Sequence, residues 1–421
     1  MFRKFALVAA AAAAFYACSS SSGGGLGQSG GAQEVGDGGP EAGDGLQFDG
    51  EWVSLWTRAM AEGITRTPDN TIPYVLVPEQ LFSEEFLSWD GWPIRDRRSL
   101  DVTVIDDTVV YVSLSAPRGG EGGGSGLVSS WRYWWKRGGG DWQGGELVFP
   151  EDMPPQGSRQ WAGSVRYDTE TGRATFYYTA VGETPVGEET VPPSEFPQGA
   201  PAAGQPPTTQ EIWAASADMV VDESGVRFTN WSPQELLIAA DGAIYTTQEN
   251  ALNDQVIYGF RDPWHFIDPD SGEEFILFTA NAAYKRGPHN GVVGVARRRA
   301  DGTWEPLPPI LQSAGISSQL ERPHLVFRDG LIYLFFTTHN WTFDPENLGP
   351  EGLYGFVTDS RSFRGHYRPL NGTGLVAGNP DDDIDMTYSW LVLPNGDVLS
   401  YVKDVAASEF LAVPAPIFSI S

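Results

Sequence analysis

Three acidic residues lie in short stretches of the sequence that could carry out chemistry. Asp90 lies between two tryptophans in "LSWDGWPIRD", Asp262 follows Arg261 in "YGFRDPWHF", and Glu321 precedes an Arg-Pro pair in "SSQLERPHLVF". Taken one at a time, such acids are most often turn residues or structural ion pairs. Cleavage of a glycosidic bond with retention needs two carboxyl groups about 5 Å apart, one of them ionised and the other protonated. The three stretches could supply that pair only if the fold brings them together.

The elements that would position these acids are β-hairpins. Six segments show a strand, a turn rich in Asp, Asn and Gly, and a second strand: "VTVIDDTVVYVSLSA", "SVRYDTETGRATFYYTA", "MVVDESGVRFTNW", "WHFIDPDSGEEFILFTANA", "HLVFRDGLIYLFFTTH" and "WLVLPNGDVLSYVK". Turn chemistry of this kind between strand-like runs predicts hairpins, and helical periodicity is hard to find. Hairpins that recur at intervals of tens of residues favour an all-β, five-bladed β-propeller over a sandwich. In that fold, distant residues would share one central, funnel-shaped active site.

Composition divides the chain into three parts. Residues 1–17 carry Arg3 and Lys4 before an apolar run, which predicts an export signal peptide too short to be a membrane span. The only cysteine, Cys18, follows in "FYACSSSSGGG", a context that resembles a lipoprotein cleavage site; ordinary cleavage near Ala17 is the alternative. Residues 18–45 are Gly/Ser-rich and predict a flexible linker. Residues 46–421 have globular composition and would form one catalytic domain, and the protein would be exported to the cell surface or secreted.

The charge balance excludes some partners. The formal net charge is −28, with 55 acidic residues against 27 basic ones. Nucleic acid and anionic lipid both require a basic surface, so we expect neither as a charge-driven partner. Membrane attachment would be possible only through a lipidated Cys18. The acidity suits high salt, and it equally suits an ordinary acidic secreted protein.

Other polar and aromatic clusters have simpler explanations. The acidic segment 379–386 ("NPDDDIDM") could bind a cation, but it lacks a glycine-spaced ligand pattern and is better explained as a solvated loop. The five histidines show no metal-ligand spacing, so we expect no metal. The aromatic segment 131–139 ("WRYWWKRGG") could contact sugar, although packing within a blade is the simpler expectation.

The three acidic stretches, in this order, resemble glycoside hydrolase family 68, which contains levansucrases, inulosucrases and bacterial β-fructofuranosidases. The segments "QWAGSVRYD", "NGVVGVARR", "HYRPLNGTGLV" and "TYSWLVLPNGDVLSYV" resemble further family segments, so the similarity covers essentially the whole chain after the linker. The resemblance implies that sucrose is the substrate and that fructans or oligosaccharides are the acceptors. It implies no cofactor.

The resemblance also implies roles for individual residues. Asp90 would be the nucleophile that attacks the fructosyl anomeric carbon, and Glu321 would be the general acid and then the base. Asp262 would hold sugar hydroxyls and stabilise the transition state, with Arg261 beside it. The remaining substrate-binding candidates are Trp89, Trp161, Ser164, Gln319, His339 and Tyr388.

Two departures from the family pattern affect these expectations. Many members carry serine directly after the tryptophan of the segment that reads "QWAGSVRYD" here, where this chain has Ala162. One hydrogen bond to the nucleophile would then be missing unless Ser164 replaces it. Where Gram-positive members carry an Asp-Glu pair, this chain has Ser318 and Gln319, so we expect no structural calcium there.

The sequence therefore predicts a levansucrase-like fructosyltransferase that acts through a covalent fructosyl-enzyme. A sucrose-hydrolysing β-fructofuranosidase or an inulosucrase with the same site is the alternative. A carbohydrate-binding propeller without catalysis is a third possibility, although a binding protein has no need of all three acids. Neither the product linkage nor the oligomeric state follows from the sequence.

Overall fold

A computed structural model describes residues 45–48, 50–75, 82–118, 129–182, 209–251, 257–285, 287–313, 315–404 and 410–420. The predicted export signal, Cys18 and all but the last residue of the predicted linker lie outside these ranges. Within them, no helix is long and apolar enough to cross a membrane. The two α-helices are short, α1 (Arg58–Glu62) and α2 (Gln248–Ala251), and two 3-10 turns cover Asn340–Thr342 and Leu370–Gly372.

Strands make up most of the described structure. In chain order they are β1 (Gly45–Phe48), β2 (Glu51–Trp56), β3 (Phe86–Pro93), β4 (Arg95–Asp96), β5 (Val104–Ile105), β6 (Thr108–Pro117), β7 (Ser130–Arg137), β8 (Gln143–Leu147), β9 (Arg159–Asp168), β10 (Arg173–Val181), β11 (Gln210–Asp222), β12 (Gly225–Thr229), β13 (Glu235–Ile238), β14 (Phe260–Ile267), β15 (Glu274–Asn281), β16 (Gly291–Arg298), β17 (Trp304–Ser313), β18 (Glu321–Arg328), β19 (Leu331–Thr338), β20 (Gly352–Thr358), β21 (Arg368–Pro369), β22 (Leu375–Gly378), β23 (Thr387–Val392), β24 (Asp397–Asp404), β25 (Phe410–Pro414) and β26 (Phe418–Ser419).

These strands form five sheets arranged as the blades of a propeller, as predicted. The successive blades are β3-β6-β7-β8, β9-β10-β11-β12, β14-β15-β16-β17, β18-β19-β20-β21 and β23-β24-β25, each antiparallel along this path. The first strands of the blades pack against one another in the order β3, β9, β14, β18, β23 and back to β3. These five inner strands therefore surround the propeller axis.

All six hairpins predicted from turn chemistry are present, as β5–β6, β9–β10, β11–β12, β14–β15, β18–β19 and β23–β24. Glycine takes the left-handed backbone in several of their turns, for example Gly330 with φ of 75° and Gly396 with φ of 87°, whereas Asp106 and Asp107 take it in the β5–β6 turn. The aromatic segment 131–139 lies mostly in β7, where Trp131 and Trp134 are fully buried. Packing within a blade, the simpler of the two expectations, accounts for these tryptophans.

Two parallel additions were not predicted from sequence. The N-terminal hairpin β1–β2 joins the outer edge of the third blade, where β2 runs parallel to β17. The two-residue strand β4 runs parallel to β9, the inner strand of the second blade. Trp56, at the end of β2, is fully buried against aromatic rings of the fourth blade. The N-terminal segment therefore connects two blades that are neighbours in the ring.

Candidate active site

Every inner strand carries a β-bulge at the same level of the propeller. In four blades two inner-strand residues lie opposite a single residue of the next strand; Asp90 and Gly91, for instance, fall between the pairs Trp89–Leu114 and Trp92–Val112. In the second blade the extra residue is Ala162 alone. The residues immediately before the five bulges are Trp89, Trp161, Arg261, Glu321 and Tyr388. The first residues within them are Asp90, Ala162, Asp262, Arg322 and Ser389. Bulges redirect side chains, and here they direct one pair from each blade to one end of the axis.

The bulge residues adopt a backbone conformation that most residues avoid. The φ angles of Asp90, Asp262, Arg322 and Ser389 are 45°, 62°, 49° and 64°. Left-handed conformations of non-glycine residues cost on the order of 1–2 kcal/mol each. Four such residues at equivalent positions indicate that the fold holds these side chains in place at a cost in stability.

Glu321 lies at the centre of a hydrogen-bond network. The Oη of Tyr388 donates to one carboxylate oxygen of Glu321, and the Nη2 of Arg261 donates to the other at 2.7 Å. The same Arg261 nitrogen also donates to the Oε1 of Gln319 at 2.6 Å. The Nε2 of His339 lies 3.7 Å from Glu321, on the Tyr388 side. The family-implied acid/base residue is therefore held by residues from three blades.

Asp262 is fixed by both backbone and side-chain donors. Its Oδ2 accepts hydrogen bonds from the Thr279 hydroxyl at 3.0 Å and from the Arg322 amide at 3.1 Å. Its own amide donates to the Thr179 hydroxyl at 2.9 Å, which links it to the second blade. The guanidinium of Arg261 lies 3.8 Å away. Asp262 thus forms hydrogen bonds to the second blade on one side and to the fourth blade on the other.

Asp90 is buried, and the two oxygens of its carboxylate have different surroundings. Its buried Oδ1 has no hydrogen-bond partner in the described part of the chain, whereas the Ser389 hydroxyl bonds to the carboxylate. Arg322 donates to the carbonyl oxygens of Gly91 and Ser389, both at 2.9 Å, and so spans the first, fourth and fifth blades. The bonds that Arg322 makes hold the bulges of Asp90 and Ser389 together.

The three carboxyl groups influence one another's ionisation, which shows that they share one site. Burial raises the pKa of Asp262 to about 6, and the charges of Glu321 and Asp90 contribute to that rise. Burial also raises the pKa of Asp90, although Arg322 and the Ser389 hydroxyl oppose it. At Glu321 the balance is reversed: burial raises its pKa, but Arg261, His339 and the bond from Tyr388 outweigh burial and leave the pKa below its usual range.

A second row of charges lies behind His339. The Nδ1 of His339 lies 2.5 Å from Glu351, whose side chain is completely buried, and Lys403 donates to the other Glu351 oxygen at 3.1 Å. Lys403 also bonds to Asp385 at 2.9 Å. The His339 ring stacks on Tyr388 with the ring centroids 3.9 Å apart. Glu351 therefore fixes the orientation of an imidazole that faces Glu321.

The structure brings together most of the site residues named from sequence. Trp89 and Trp161 occupy the pre-bulge positions of the first and second blades, and the Trp161 ring lies 5.6 Å from the Arg261 guanidinium carbon. Ser164 lies outside the cluster: it is fully buried, and its hydroxyl accepts the His265 amide at 3.3 Å. A hydroxyl engaged between two blades in this way is not placed to replace the one that Ala162 lacks.

Three participants were missed from sequence: Arg322, Ser389 and Glu351. The signal for the first two was present, because each occupies in its own blade the position that Asp90 occupies in the first. The pairing of strands was needed to see that equivalence. Glu351 had no sequence signal, since its partners His339 and Lys403 are brought to it only by the fold.

The acidic segment 379–386 behaves as a charged surface loop. Asp381 pairs with Arg66 and Asp385 with Lys403. Among the residues that the structure describes, no group of three or more His, Cys, Asp or Glu side chains could hold a metal ion.

The sequence is similar to that of known proteins over most of its length. A levansucrase/invertase family model, glycoside hydrolase family 68, matches residues 46–298 and 289–414. The levansucrase of Rahnella aquatilis is 33% identical over 400 residues, which cover 85% of this chain and 88% of that protein.

Two solved structures are similar in fold and in sequence. The inulosucrase from Halalkalicoccus jeotgali bound to kestose is 32% identical with a TM-score of 0.73, covering 87% of this chain and 92% of that one. The β-fructofuranosidase catalytic domain of Microbacterium saccharophilum K-1 is 26% identical with a TM-score of 0.73, covering 90% and 91%. The relatives thus include proteins named for transfer and for hydrolysis.

Proposed function

The chain belongs to glycoside hydrolase family 68 and is a sucrose-utilising enzyme of fructosyl transfer, and we propose that its main reaction is that of a levansucrase. In this reaction sucrose is cleaved with retention, and the fructosyl unit passes through a covalent enzyme intermediate to a growing fructan. One observation carries the proposal: Asp90, Asp262 and Glu321 come from three blades, at equivalent bulges, into a single electrostatically coupled site.

The first half of the proposed reaction forms a bond to Asp90. A carboxylate oxygen of Asp90 would attack the anomeric carbon of the fructosyl unit while the bond from that carbon to the glucosyl oxygen breaks. Glu321 would deliver its proton to the departing glucosyl oxygen. Asp262, fixed by Thr279 and the Arg322 amide, would hold fructosyl hydroxyls as positive charge develops on the ring.

The second half would regenerate the enzyme. Glu321, now ionised, would remove a proton from an acceptor hydroxyl, and that oxygen would displace Asp90 from the anomeric carbon. Two displacements at the same carbon restore the original configuration. If the acceptor is a sugar, the product is a longer fructan; if it is water, the product is fructose.

The resting site favours the ionised form of Glu321, which is the form needed in the second half. Arg261 and His339 lower its pKa, so the protonated form required by the first half is scarce in the free enzyme at neutral pH. Bound sucrose would displace water from this carboxyl group and so raise its pKa toward that of a proton donor. Proton supply to Glu321 would then be linked to substrate binding.

We also propose that the protein is exported. The support lies in the sequence: basic Arg3 and Lys4 before an apolar run, and Cys18 before a Ser/Gly-rich stretch. Lipid attachment at Cys18 would keep the enzyme at the cell surface, where sucrose and polymer are both accessible. Mass spectrometry of the N-terminal peptide from cell envelopes would detect a diacylglyceryl cysteine if this is right, and an unmodified new N-terminus near Ala17 otherwise.

The test of function is incubation with sucrose at low and at high salt, with glucose and free fructose quantified separately. Glucose in clear excess over fructose is the expected result, and the missing fructose should appear as levan. Equal amounts would identify a hydrolase, and inulin linkages would identify an inulosucrase. No glucose at either salt concentration would refute the sucrose assignment.

Asp90→Asn provides the matching variant. It should abolish glucose release while leaving the thermal unfolding temperature (Tm) near that of the parent, because the amide preserves the shape of the carboxylate but is a poor nucleophile. The exposed Asp381→Asn serves as control and should retain activity. If the unmutated protein binds sugar but does not cleave sucrose, the result would favour the alternative of a carbohydrate-binding protein.

A further inference from the structure

Two buried arginines outside the reaction site lie side by side with the same charge. Arg95 of β4 and Arg166 of β9 are directly opposite each other in a parallel pair of strands, so their side chains point to the same face of the sheet. Each is 1% exposed. Like charges at directly opposed positions destabilise a sheet, and burial away from water strengthens the repulsion.

One aromatic ring contacts both guanidinium groups. The guanidinium carbons of Arg95 and Arg166 lie 3.4 Å and 4.3 Å from the centroid of the Trp264 ring. Trp264 lies on β14, two residues after Asp262, so this contact joins the inner strands of the second and third blades. Cation–π contact returns part of the free energy lost on desolvating the guanidinium groups. It supplies no hydrogen-bond acceptor in the plane of either group.

Several donors of the pair have no acceptor. Arg166 donates from Nε to the His265 carbonyl at 2.7 Å and from Nη1 to the Val165 carbonyl at 3.2 Å. Its Nη2, together with Nε and Nη2 of Arg95, is buried without a hydrogen-bond partner in the described part of the chain. Buried donors of a charged group are rarely left unpaired, because the desolvation cost is not recovered.

The charge of Asp96 acts on Arg166 and raises its pKa, but burial outweighs this effect, and no described carboxylate lies at ion-pair distance from either arginine. The charges that act on Arg95 come from Arg166 and Arg322, which are both positive. Burial and these neighbours lower the pKa of Arg95, and burial lowers that of Arg166 to about 9. Arginine nevertheless stays charged at neutral pH, so a counter-ion close to both groups would stabilise the pair.

We propose that Arg95 and Arg166 bind a small inorganic anion of the chloride class between the inner strands of the second and third blades. A monatomic anion could accept hydrogen bonds from unpaired N–H donors of the two guanidinium groups and offset the repulsion between them. Water alone would satisfy the donors but not the charge. The complete burial of both side chains excludes a sugar or an organic acid as the occupant.

The site predicts a stabilisation that depends on the identity of the salt and not only on ionic strength. An anion that binds the folded state alone raises stability by mass action. A hundredfold rise in chloride above its dissociation constant should raise the Tm by about 3 °C relative to sodium gluconate at matched ionic strength. Gluconate is too large to enter, so the comparison removes the general screening of an acidic protein.

The experiment combines diffraction and thermal unfolding of the full chain. Crystals soaked in sodium bromide should show an anomalous peak within hydrogen-bond distance of the Arg95 and Arg166 guanidinium nitrogens. Arg166→Gln should abolish the difference in Tm between chloride and gluconate, and the exposed Arg368→Gln should retain it. Absence of the bromide peak, or equal Tm values in the two salts, would overturn the proposal in favour of water. If Arg166→Gln does not fold, the bromide experiment on the parent protein still decides.

Discussion

At the scale of single residues, Ser389 provides a hydroxyl group next to the Asp90 carboxylate. The family resemblance implied such a hydroxyl group directly after Trp161, where this chain has Ala162. In this structure the Ser389 hydroxyl, at the equivalent bulge position of the fifth blade, bonds to the Asp90 carboxylate and to Arg322. A hydrogen bond to the ionised form lowers the pKa of a carboxyl group. Ser389 therefore helps to keep the nucleophile ionised despite its burial.

Ser389→Ala should lower activity and shift its dependence on pH. Loss of the hydroxyl raises the pKa of Asp90, so the nucleophile becomes protonated at a higher pH and the acidic limb of the kcat/KM profile moves upward. One hydrogen bond to a charged group corresponds to about a tenfold loss in kcat/KM. The profile with sucrose measures both effects, with the exposed Ser362→Ala as control. An unmoved acidic limb would exclude this role for Ser389.

His339→Gln should act on the opposite limb. His339 lies 3.7 Å from Glu321 and lowers the pKa of that carboxyl group, so its replacement raises that pKa and preserves the protonated acid to higher pH. The alkaline limb of kcat/KM should therefore move upward, even if the maximum falls through lost acceptor contacts. His366→Gln, which affects only a ring stacked on Trp52 at the surface, is the matched control. A downward shift would contradict the proposed charge coupling.

At the scale of elements, the inner-strand bulge is the unit that builds the site. Each blade contributes a pre-bulge residue and a bulge residue, and the chemistry depends on which side chains occupy those places. Close packing keeps the bulge in register. A Cβ added at Gly163 would lie 2.0 Å from the Tyr177 carbonyl oxygen, which belongs to the neighbouring strand and cannot rotate away.

Gly163→Ala should therefore destabilise the second blade. Strand β9 would have to separate from β10, at a cost of about 3 kcal/mol in the free energy of unfolding. Trp161, two residues earlier, would be displaced, so KM for sucrose should rise as well. Gly139→Ala, in an open surface turn with nothing within 4 Å of the added carbon, should change stability by less than about 0.5 kcal/mol. Equal unfolding free energies for the two variants would show that the bulge tolerates a side chain.

The sequence predicted the elements better than their assembly. Asp, Asn and Gly at the turns identified all six hairpins, because turn chemistry is local. The order of the acids along the chain, together with the family resemblance, identified Asp90, Asp262 and Glu321 as candidates. Arg322, Ser389 and Glu351 were not identified, because their importance comes from partners 12 to 231 positions away in the chain. A local sequence pattern does not record such contacts.

At the scale of the whole molecule, the N-terminal hairpin connects the third and fourth blades. Strand β2 extends the third blade, while the Trp56 ring lies 5.0 Å from Tyr354 and 5.6 Å from Phe336 in the fourth. Its Nε1 donates to the Thr373 carbonyl at 2.9 Å. No local pattern in residues 45–56 predicts this position, because the partner strand β17 begins about 250 residues later.

Trp56→Ala should consequently destabilise the entire propeller. Removal of a fully buried tryptophan leaves a cavity between two blades and an unpaired carbonyl, with a loss of about 3–5 kcal/mol in the free energy of unfolding. Chemical denaturation followed by fluorescence would measure it. Leu147→Ala, at a side chain 42% exposed on the rim of the first blade, should be nearly neutral. A similar small loss for both variants would show that the N-terminal hairpin is not part of the cooperative unit.

The way the ring closes has a consequence for the enzyme's inactivation. No described strand is shared between the first and fifth blades, so the two meet through packing and through Arg322, which bonds to backbone carbonyls on both sides. The same arginine supports the nucleophile and donates its amide to Asp262. Separation of the first and fifth blades would therefore abolish activity before any hairpin unfolds. On gradual heating, enzymatic activity would then be lost at a lower temperature than the one at which the circular dichroism signal changes.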